Sequence, residues 1–218
     1  MLQRLAFVVL SLWCAVAVQA QQAAYLEGKH YFRIATAQPT NTPGKVEVVE
    51  VFSYGCGACA RFQPVIDQWA KKAPAQAQFS YMPADFNPGW ALLARAFYAA
   101  EALGLHSRSH QAIFDNNFVQ NKPLRNADEV IALLSTFGKS TAEVTKAMNS
   151  VGVEARMAQA HKRAIAYGID STPTLVVNGK WRVNGDGVSS YEEMIAVLNY
   201  LIAMEAASLP APTATPKG

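Results

Sequence analysis

The sequence predicts an α/β fold in which a helical domain interrupts a unit of strands and helices. Strand patterns occur near the beginning and near the end of the folded part, with helical patterning alone between them. The predicted order is β-β-α-β, a helical block, and β-β-α. In the last part Asn178-Gly179 separates two apolar runs, which is the strongest short signal for a β-hairpin.

The first strands and the first helix follow from residue type and spacing. Residues 31–34 suit a short strand, and residues 46–52 are rich in β-branched side chains, as in a strand buried on both faces. A helix is expected to begin at Cys56, and residues 78–82 predict a further strand. The apolar face of this helix is formed by residues at i, i+3, i+4 and i+7, namely Phe62, Val65, Ile66 and Trp69.

Residues 88–165 predict an inserted domain of four to five helices. Asn126, Ser140 and Gly138 are the expected helix caps and stops. The flanking residues 25–87 and 166–207 then form the α/β domain, which closes with the hairpin and an amphipathic helix over residues 190–207. Aromatic residues at helical spacing in the insertion are expected to be core rather than a ligand pocket: Trp90, Phe97, Tyr98, Phe114 and Phe118.

The sequence at both ends of the chain predicts segments that are not part of the fold. Residues 1–20 combine Arg4, an uncharged apolar stretch and a small-x-small site, which predicts a signal peptide cleaved after Ala20. An uncleaved membrane anchor is the alternative. Residues 208–218 lack apolar side chains to bury and predict a disordered tail. Cleavage would remove Cys14 and leave two cysteines in an exported protein.

Composition excludes several classes of function. The 218 residues carry a net charge of +3, and no basic stripe or phosphate-binding glycine loop is visible, so no nucleic acid or nucleotide partner is expected. No metal or other cofactor is expected either. His106 and His110 could share a helix face, but without a nearby third ligand the pair is interpreted as a solvated surface.

The two remaining cysteines, Cys56 and Cys59, predict a redox pair. A disulfide across two intervening residues closes almost no loop and stabilises little, which disfavours a structural role. Zinc requires about four ligands, and a second Cys-x-x-Cys is missing. A catalytic pair in an oxidising compartment is therefore the favoured interpretation.

The position of the pair assigns a role to each sulfur. Cys56 at a helix N-terminus would be stabilised as a thiolate by free backbone N–H groups and the helix dipole. Cys59 lies one turn further into the helix and deeper. Cys56 is therefore predicted to be the exposed attacking sulfur, and Cys59 the resolving sulfur that ends a mixed disulfide.

Glu50 is a charged residue within the predicted buried strand. Alternation places Glu50 with Val46, Val48 and Phe52 on one apolar face, below the cysteines. A desolvated carboxyl has a raised pKa, so Glu50 is predicted to relay a proton to Cys59. The alternative is a strand-edge glutamate that reaches solvent, and Glu47 on the opposite face is expected to be of that kind.

Thr172-Pro173 precedes the predicted hairpin. A proline suits the first position of a strand, and an X-Pro bond can be cis, although the sequence does not reveal the isomer. A cis bond would turn the Thr172 backbone outward beside Cys56, where it could pair with an extended substrate. Thr172 and Pro173 are thus the candidate substrate-binding residues.

These elements together resemble the thioredoxin superfamily, and more closely the DsbA-type periplasmic thiol:disulfide oxidoreductases. The matching stretches are EVFSYGCGACARFQP (50–64) and STPTLVVNGKW (171–181), together with the signal peptide and the helical insertion. The resemblance implies a thioredoxin fold with a cis Pro173 and transfer of a disulfide to newly exported proteins. It also implies reoxidation by a DsbB-type, quinone-linked inner-membrane oxidase. A monomer is expected.

The chain departs from this family pattern at the active-site dipeptide. Relatives with proline and histidine between the cysteines use that histidine to hold the thiolate, whereas Gly57-Ala58 offers no side-chain donor or cation. A weaker oxidant is therefore expected. Thr172 is more typical of reductase and isomerase branches, and Tyr81 loosely aligns with a lysine that partners the buried glutamate in some relatives.

Two other functions remain open from the sequence. One is a disulfide reductase or isomerase that uses the same cysteines. The other is a chaperone-like binding module, in which the helical block and the Cys56 end form an apolar groove for unfolded exported chains.

Overall fold

The computed structural model describes residues 25–209 of the chain. Within them the predicted order of elements is confirmed, with five helices between the third and fourth strands. The strands are β1 (Phe32–Arg33), β2 (Val46–Phe52), β3 (Ala77–Pro83), β4 (Thr174–Val177) and β5 (Trp181–Val183). The helices are α1 (Gly57–Ala70), α2 (Pro88–Ala102), α3 (His106–Phe114), α4 (Ala127–Ser135), α5 (Thr141–Met148), α6 (Val151–Tyr167) and α7 (Tyr191–Ala206).

The five strands form one mixed sheet in the order β1-β5-β4-β2-β3. β2 runs parallel to β3 and antiparallel to β4, and all seven of its residues are buried. In the pairing of β2 with β4, Val51 lies opposite Thr174. One register therefore aligns the end of β2, which leads to Cys56, with the start of β4, which follows Pro173.

Two apolar clusters lie against β2. Val46 and Val48 belong to a cluster with Phe62 and Ile66 of α1 and with buried residues of α7. Val49 and Val51 belong to a second cluster with residues of the helical insertion. Alternate residues of a strand face opposite sides, so these valines anchor helices on both faces of the sheet.

Phe52 and Glu47 differ from the expected pattern. Phe52 belongs to the second cluster, and its ring contacts those of Phe97 and Phe114. β2 ends at this residue, so strict alternation need not extend to it. The prediction that Glu47 reaches solvent is wrong. Glu47 is 5% exposed and its Oε2 accepts from Arg163 Nη2 at 2.7 Å, because α6 covers this face of the sheet.

The hairpin between β4 and β5 turns through Asn178 and Gly179. Their φ angles are 52° and 62°, as required by a type I′ turn. A Cβ on Gly179 would clash with the backbone carbonyl oxygen of Gln38, whose N–H donates to the Gly179 carbonyl at 2.9 Å. The turn therefore requires glycine for conformation and for close approach, and it fixes the start of β4.

The caps of the inserted helices are partly as expected. Asn126 and Ser140 cap α4 and α5 with their side chains. Gly138 has φ +90° but lies in the turn after α4, which ends at Ser135. α3 continues into a π-helix over Asp115–Val119, which the sequence pattern does not predict.

The domain boundaries and the chain ends stay predictions. α6 continues to Tyr167, two residues beyond the predicted boundary after residue 165. The predicted tail begins two residues too early, because Ser208 Oγ donates to the Glu205 carbonyl at 2.7 Å and Leu209 packs on the first cluster. Residues 210–218 lie outside the described part. The predicted signal peptide also lies outside it. No helix formed by residues 25–209 is long and apolar enough to cross a membrane.

Candidate active site

Cys56 and Cys59 lie at the start of α1, directly after the loop that leaves β2. Cys56 is the N-cap residue of α1, and its sulfur accepts a hydrogen bond from the Cys59 backbone N–H at 3.1 Å. Both cysteines are free thiols. This geometry is what the helix start provides, because the first N–H groups of a helix have no partner within it.

The two sulfurs differ in access. Cys56 is 8% exposed and Cys59 is completely buried. The expectation of an openly exposed Cys56 is therefore wrong in degree, since most of the residue is covered by its surroundings. Cys56 is nevertheless the more accessible of the two sulfurs, as exchange requires, because another protein's sulfur can approach Cys56 but not Cys59.

The electrostatic environment also gives the two thiols different pKa values. The pKa of the Cys56 thiol is lowered to about 6, chiefly because the Cys59 side chain donates a hydrogen bond to its sulfur. The Thr172 side chain contributes next, followed by the N–H groups of Cys59 and Ala58. Burial opposes this shift. In Cys59 burial dominates and raises the pKa well above its usual range. At neutral pH Cys56 is mainly a thiolate while Cys59 stays protonated.

Titration of the reduced protein is expected to show one acidic thiol. The ultraviolet absorbance of the thiolate should rise with a midpoint near pH 6, against about 8.5 for a free cysteine. The Cys56→Ser variant should lack this transition. Because the folded-state pKa is lowered, the reduced protein should also gain stability as the pH rises between these values. A midpoint near or above about 8.5 in the wild type would contradict an activated Cys56.

Thr172 and Pro173 lie beside Cys56. The Thr172–Pro173 peptide bond is cis, and the Cys56 Sγ lies 3.4 Å from the Thr172 carbonyl oxygen. The buried Thr172 side chain also lies at the two sulfurs, where it acts to lower the pKa of both thiols. The structure thus brings together the two segments that the sequence separates by more than a hundred residues.

Glu50 is fully buried, and neither carboxyl oxygen has a hydrogen-bond partner among the described residues. Burial raises its pKa well above the usual range, and the charges of Asp67 and Cys56 raise it further. In the sheet Glu50 lies opposite Tyr81 of β3. The Tyr81 hydroxyl donates to Asp67 Oδ1 at 2.7 Å. Tyr81 therefore lies beside Glu50 but supplies neither a positive charge nor a hydrogen bond to the Glu50 carboxyl.

A buried polar network continues from Asp67 into the helical insertion. Gln63 Nε2 donates to Asp67 at 2.9 Å, and Gln63 Oε1 lies 3.0 Å from His110 Nε2. His110 Nδ1 lies 2.7 Å from the Tyr54 hydroxyl. The interpretation of His110 as a solvated residue is therefore wrong. It is 5% exposed, and burial lowers its pKa to about 3, so the ring is neutral.

Residues around Gly57 and Ala58 include several that sequence reasoning did not identify. The Tyr191 hydroxyl donates to the Ala58 carbonyl at 3.0 Å. A Cβ on Gly57 would lie 3.6 Å from atoms of both Arg61 and Phe118. No spacing signal connects Tyr191 or Phe118 with the cysteines, because each lies on a distant helix that only tertiary packing brings here.

Exposed aromatic side chains border this end of the molecule. Phe118, expected in the core, is 44% exposed, whereas Phe97, Tyr98 and Phe114 are buried as expected. Phe86 is 45% exposed and stacks on Trp90 with ring centroids 5.6 Å apart. The Trp90 indole packs directly on Gly55, where an added Cβ would lie 2.7 Å from Nε1. Apolar surface therefore flanks the approach to Cys56.

Metal-ligating side chains do not gather at this site. Across residues 25–209 no three His, Cys, Asp or Glu residues are arranged to hold a metal ion.

Comparison with known proteins gives a consistent result. The family model described as DSBA-like thioredoxin domain matches residues 47–198. The thiol:disulfide interchange protein DsbA of Pseudomonas aeruginosa is 34% identical over 189 residues, covering 87% of this chain and 90% of the relative. The protein of the same name from Azotobacter vinelandii is 38% identical over 178 residues, covering 82% and 83%. The crystal structure of Pseudomonas aeruginosa DsbA superposes with a TM-score of 0.80 at 34% identity, covering 84% of this chain and 96% of that one.

Proposed function

Because this chain belongs to the DSBA-like thioredoxin family and is a thiol:disulfide oxidoreductase, we propose that it donates a disulfide between Cys56 and Cys59 to newly exported proteins. The reaction begins with the oxidised pair. A substrate thiolate attacks Cys56 Sγ, a new S–S bond forms, and the bond between Cys56 and Cys59 breaks. Cys59 leaves with the electron pair and takes up a proton.

The second step completes the exchange. Another thiolate of the substrate attacks the substrate sulfur of the mixed disulfide, and Cys56 leaves as a thiolate. The substrate has then lost two electrons and two thiol protons, and the cysteine pair has gained the two electrons. Reoxidation by a DsbB-type, quinone-linked inner-membrane oxidase is part of the proposal.

The observation that carries the proposal is the contrast between the two thiols. Cys56 has a pKa of about 6 and is the only one of the two with any exposure, whereas Cys59 is buried with a raised pKa. A thiol of low pKa is a good leaving group, so the step that releases the oxidised substrate is favoured. Stabilising the Cys56 thiolate also stabilises the reduced protein, which makes the disulfide oxidising.

Glu50 is proposed as the proton donor and acceptor for Cys59. Its raised pKa leaves it able to exchange a proton near neutral pH. When Cys59 leaves in the first step, a protonated Glu50 can supply the proton, and during reoxidation the carboxylate can take it back. A glutamate that is fully buried without a hydrogen bond is destabilising, which supports a role in the reaction rather than in the fold.

Substrate contacts are proposed on both sides of Cys56. The Thr172 and Pro173 backbone lies at the sulfur and can pair with an extended chain. Phe86 and Phe118 provide exposed apolar surface, which suits unfolded clients with apolar side chains. Export to the periplasm, with cleavage after Ala20, is part of the proposal and is supported by the N-terminal pattern together with the family. A monomer without nucleic acid, metal or other cofactor completes the proposal.

The redox equilibrium of the pair with glutathione tests the direction of transfer. We expect a standard potential more oxidising than about −230 mV, the lower limit for glutaredoxins, because the thiolate is stabilised. The Gly57-Ala58 dipeptide should make the protein a weaker oxidant than relatives with histidine between the cysteines. A potential near that of thioredoxin, about −270 mV, would favour the reductase instead.

A disulfide reductase or isomerase is the second candidate. The observation that favours it is Thr172 before Pro173, since the Thr172 carbonyl lies 3.4 Å from Cys56 Sγ and the Thr172 side chain acts on the pKa of both thiols. The same titration and equilibrium measurements distinguish it, because a reductase needs a less stabilised Cys56 thiolate.

A further inference from the structure

Tyr191 links α7 to the segment between the two cysteines. It is the first residue of α7, and its hydroxyl donates to the Ala58 carbonyl oxygen at 3.0 Å. Its ring packs on that of Phe62 in α1, with centroids 5.1 Å apart. The packing fixes the hydroxyl, so the hydrogen bond is held by tertiary structure rather than by α1 itself.

The acceptor of this bond belongs to the peptide group that binds the catalytic sulfur. The Ala58 carbonyl and the Cys59 N–H are the two ends of one planar unit. That N–H donates to Cys56 Sγ at 3.1 Å. A hydrogen bond to the carbonyl polarises the unit and makes its N–H a stronger donor, since hydrogen bonds in a chain strengthen one another.

We propose that Tyr191 is a positioning residue for Cys56, which acts through the Ala58–Cys59 peptide group to hold and strengthen the N–H donor at the sulfur. This inference rests on the proposed role of Cys56 as the reactive thiolate. Tyr191 lies more than a hundred positions away from Cys56 in the sequence. In this proposal it takes over part of the stabilisation of the thiolate that a side chain between the two cysteines would otherwise provide. Gly57 and Ala58 contribute only backbone groups to the sulfur.

Other groups face the Cys56 sulfur from each neighbouring element. The Cys59 thiol and the Ala58 N–H act from α1, and the Thr172 side chain and carbonyl act from the segment before β4. From β2 the Glu50 carboxyl lies within electrostatic range, and the Arg61 guanidinium approaches Gly57. None of these groups is changed by removing the Tyr191 hydroxyl, which makes that atom a selective target.

The Tyr191→Phe variant tests the proposal because it keeps the ring and removes only the hydroxyl. Cooperative strengthening amounts to roughly 10–30% of a bond, and we therefore expect the thiolate midpoint to rise by about 0.5 pH unit. At pH 8 this corresponds to about a three-fold change in the equilibrium constant with glutathione, towards a weaker oxidant. Tyr167→Phe is the matched control, since its hydroxyl accepts a hydrogen bond from Arg163 and lies at the end of α6. It should leave the midpoint unchanged.

A second substitution is expected to shift the Cys56 midpoint in the opposite direction. Replacing Tyr191 with 3-fluorotyrosine makes the hydroxyl a stronger donor, so the Cys56 midpoint should fall below that of the wild type. A role limited to packing predicts no shift in either variant. Equal midpoints in all three proteins, with an acidic Cys56 in the wild type, would overturn the inference alone. A wild-type midpoint near that of free cysteine would overturn the proposed function first.

Discussion

Replacing Cys56 with serine is expected to abolish disulfide exchange, with a loss of at least about a thousandfold because the reactive sulfur is removed. Cys59→Ser should behave differently, since Cys56 keeps its access and can still react. That variant should accumulate mixed disulfides with substrate because the resolving sulfur is absent. For the wild type and Cys56→Ser, the measurement is oxidation of a reduced two-cysteine peptide. For Cys59→Ser, the reduced variant is mixed with the same peptide in its disulfide form. The Cys56 thiolate attacks one peptide sulfur, the other peptide sulfur leaves as a thiolate, and electrophoresis without reductant detects the mixed disulfide.

The same pair of variants separates an enzyme from a binding module. If the protein acts only by holding unfolded chains, Cys56→Ser should suppress aggregation of a reduced client as well as the wild type does, and neither protein should oxidise it. Thermal unfolding of both variants shows whether they remain folded. Exchange at the wild-type rate by Cys56→Ser would contradict the assignment of the nucleophile.

Replacing Glu50 with glutamine is expected to slow reduction of the active-site disulfide by about a hundredfold at pH 7. The amide keeps the size of the side chain but cannot supply a proton to Cys59, and general acid catalysis typically contributes at least that factor. Stopped-flow mixing of oxidised protein with a peptide dithiol, followed by tryptophan fluorescence, measures the step. The pH dependence that arises from Glu50 should disappear in the variant.

Stability gives an independent measurement on Glu50. Its pKa is raised in the folded protein, so the folded state retains a proton that the unfolded state loses as the pH rises above about 4.5. In the oxidised protein, where Cys56 carries no titrating thiol, the wild type should therefore lose stability as the pH increases through this range, and Glu50→Gln should not. Urea unfolding at pH 5 and pH 8 should show an advantage for the variant that grows with pH.

Glu47→Gln is the matched control for the rate measurement. It lies on the same strand, three residues away, but pairs with Arg163 on the opposite side of the sheet. It should leave the rate of exchange unchanged. A rate for Glu50→Gln equal to that of Glu47→Gln would contradict the proton relay. If Glu50→Gln were more stable than the wild type but exchanged at the same rate, Glu50 would only destabilise the fold.

The sequence was sufficient for features that depend on local chemistry. The order of the elements follows from periodicity, and the Asn178-Gly179 turn follows from the need for positive φ at both positions. The asymmetry of the two thiols follows from the position of Cys56 at a helix start. These features need no knowledge of which distant segments pack together.

Features that depend on packing between distant segments could not be predicted. Glu47 is buried because α6 brings Arg163 over the sheet, and His110 is buried because α3 turns it towards Tyr54 and Gln63. Phe118 is exposed beside Gly57 although its spacing suits a core. In each case the residue type and its periodic position in the helix or strand are compatible with both burial and exposure.

The register between β2 and β4 has a consequence for how misfolding affects activity. Pairing of Val51 with Thr174 aligns the segment leading to the cysteines with the segment that follows Pro173, and it also orients Glu50. A slip of one residue would reverse the faces of an entire strand. The sulfur, its backbone neighbour and the buried acid would then be separated together, so damage to this pairing should appear as a mixture of fully competent and inert molecules. Turnover would thus report what fraction of a preparation has folded correctly.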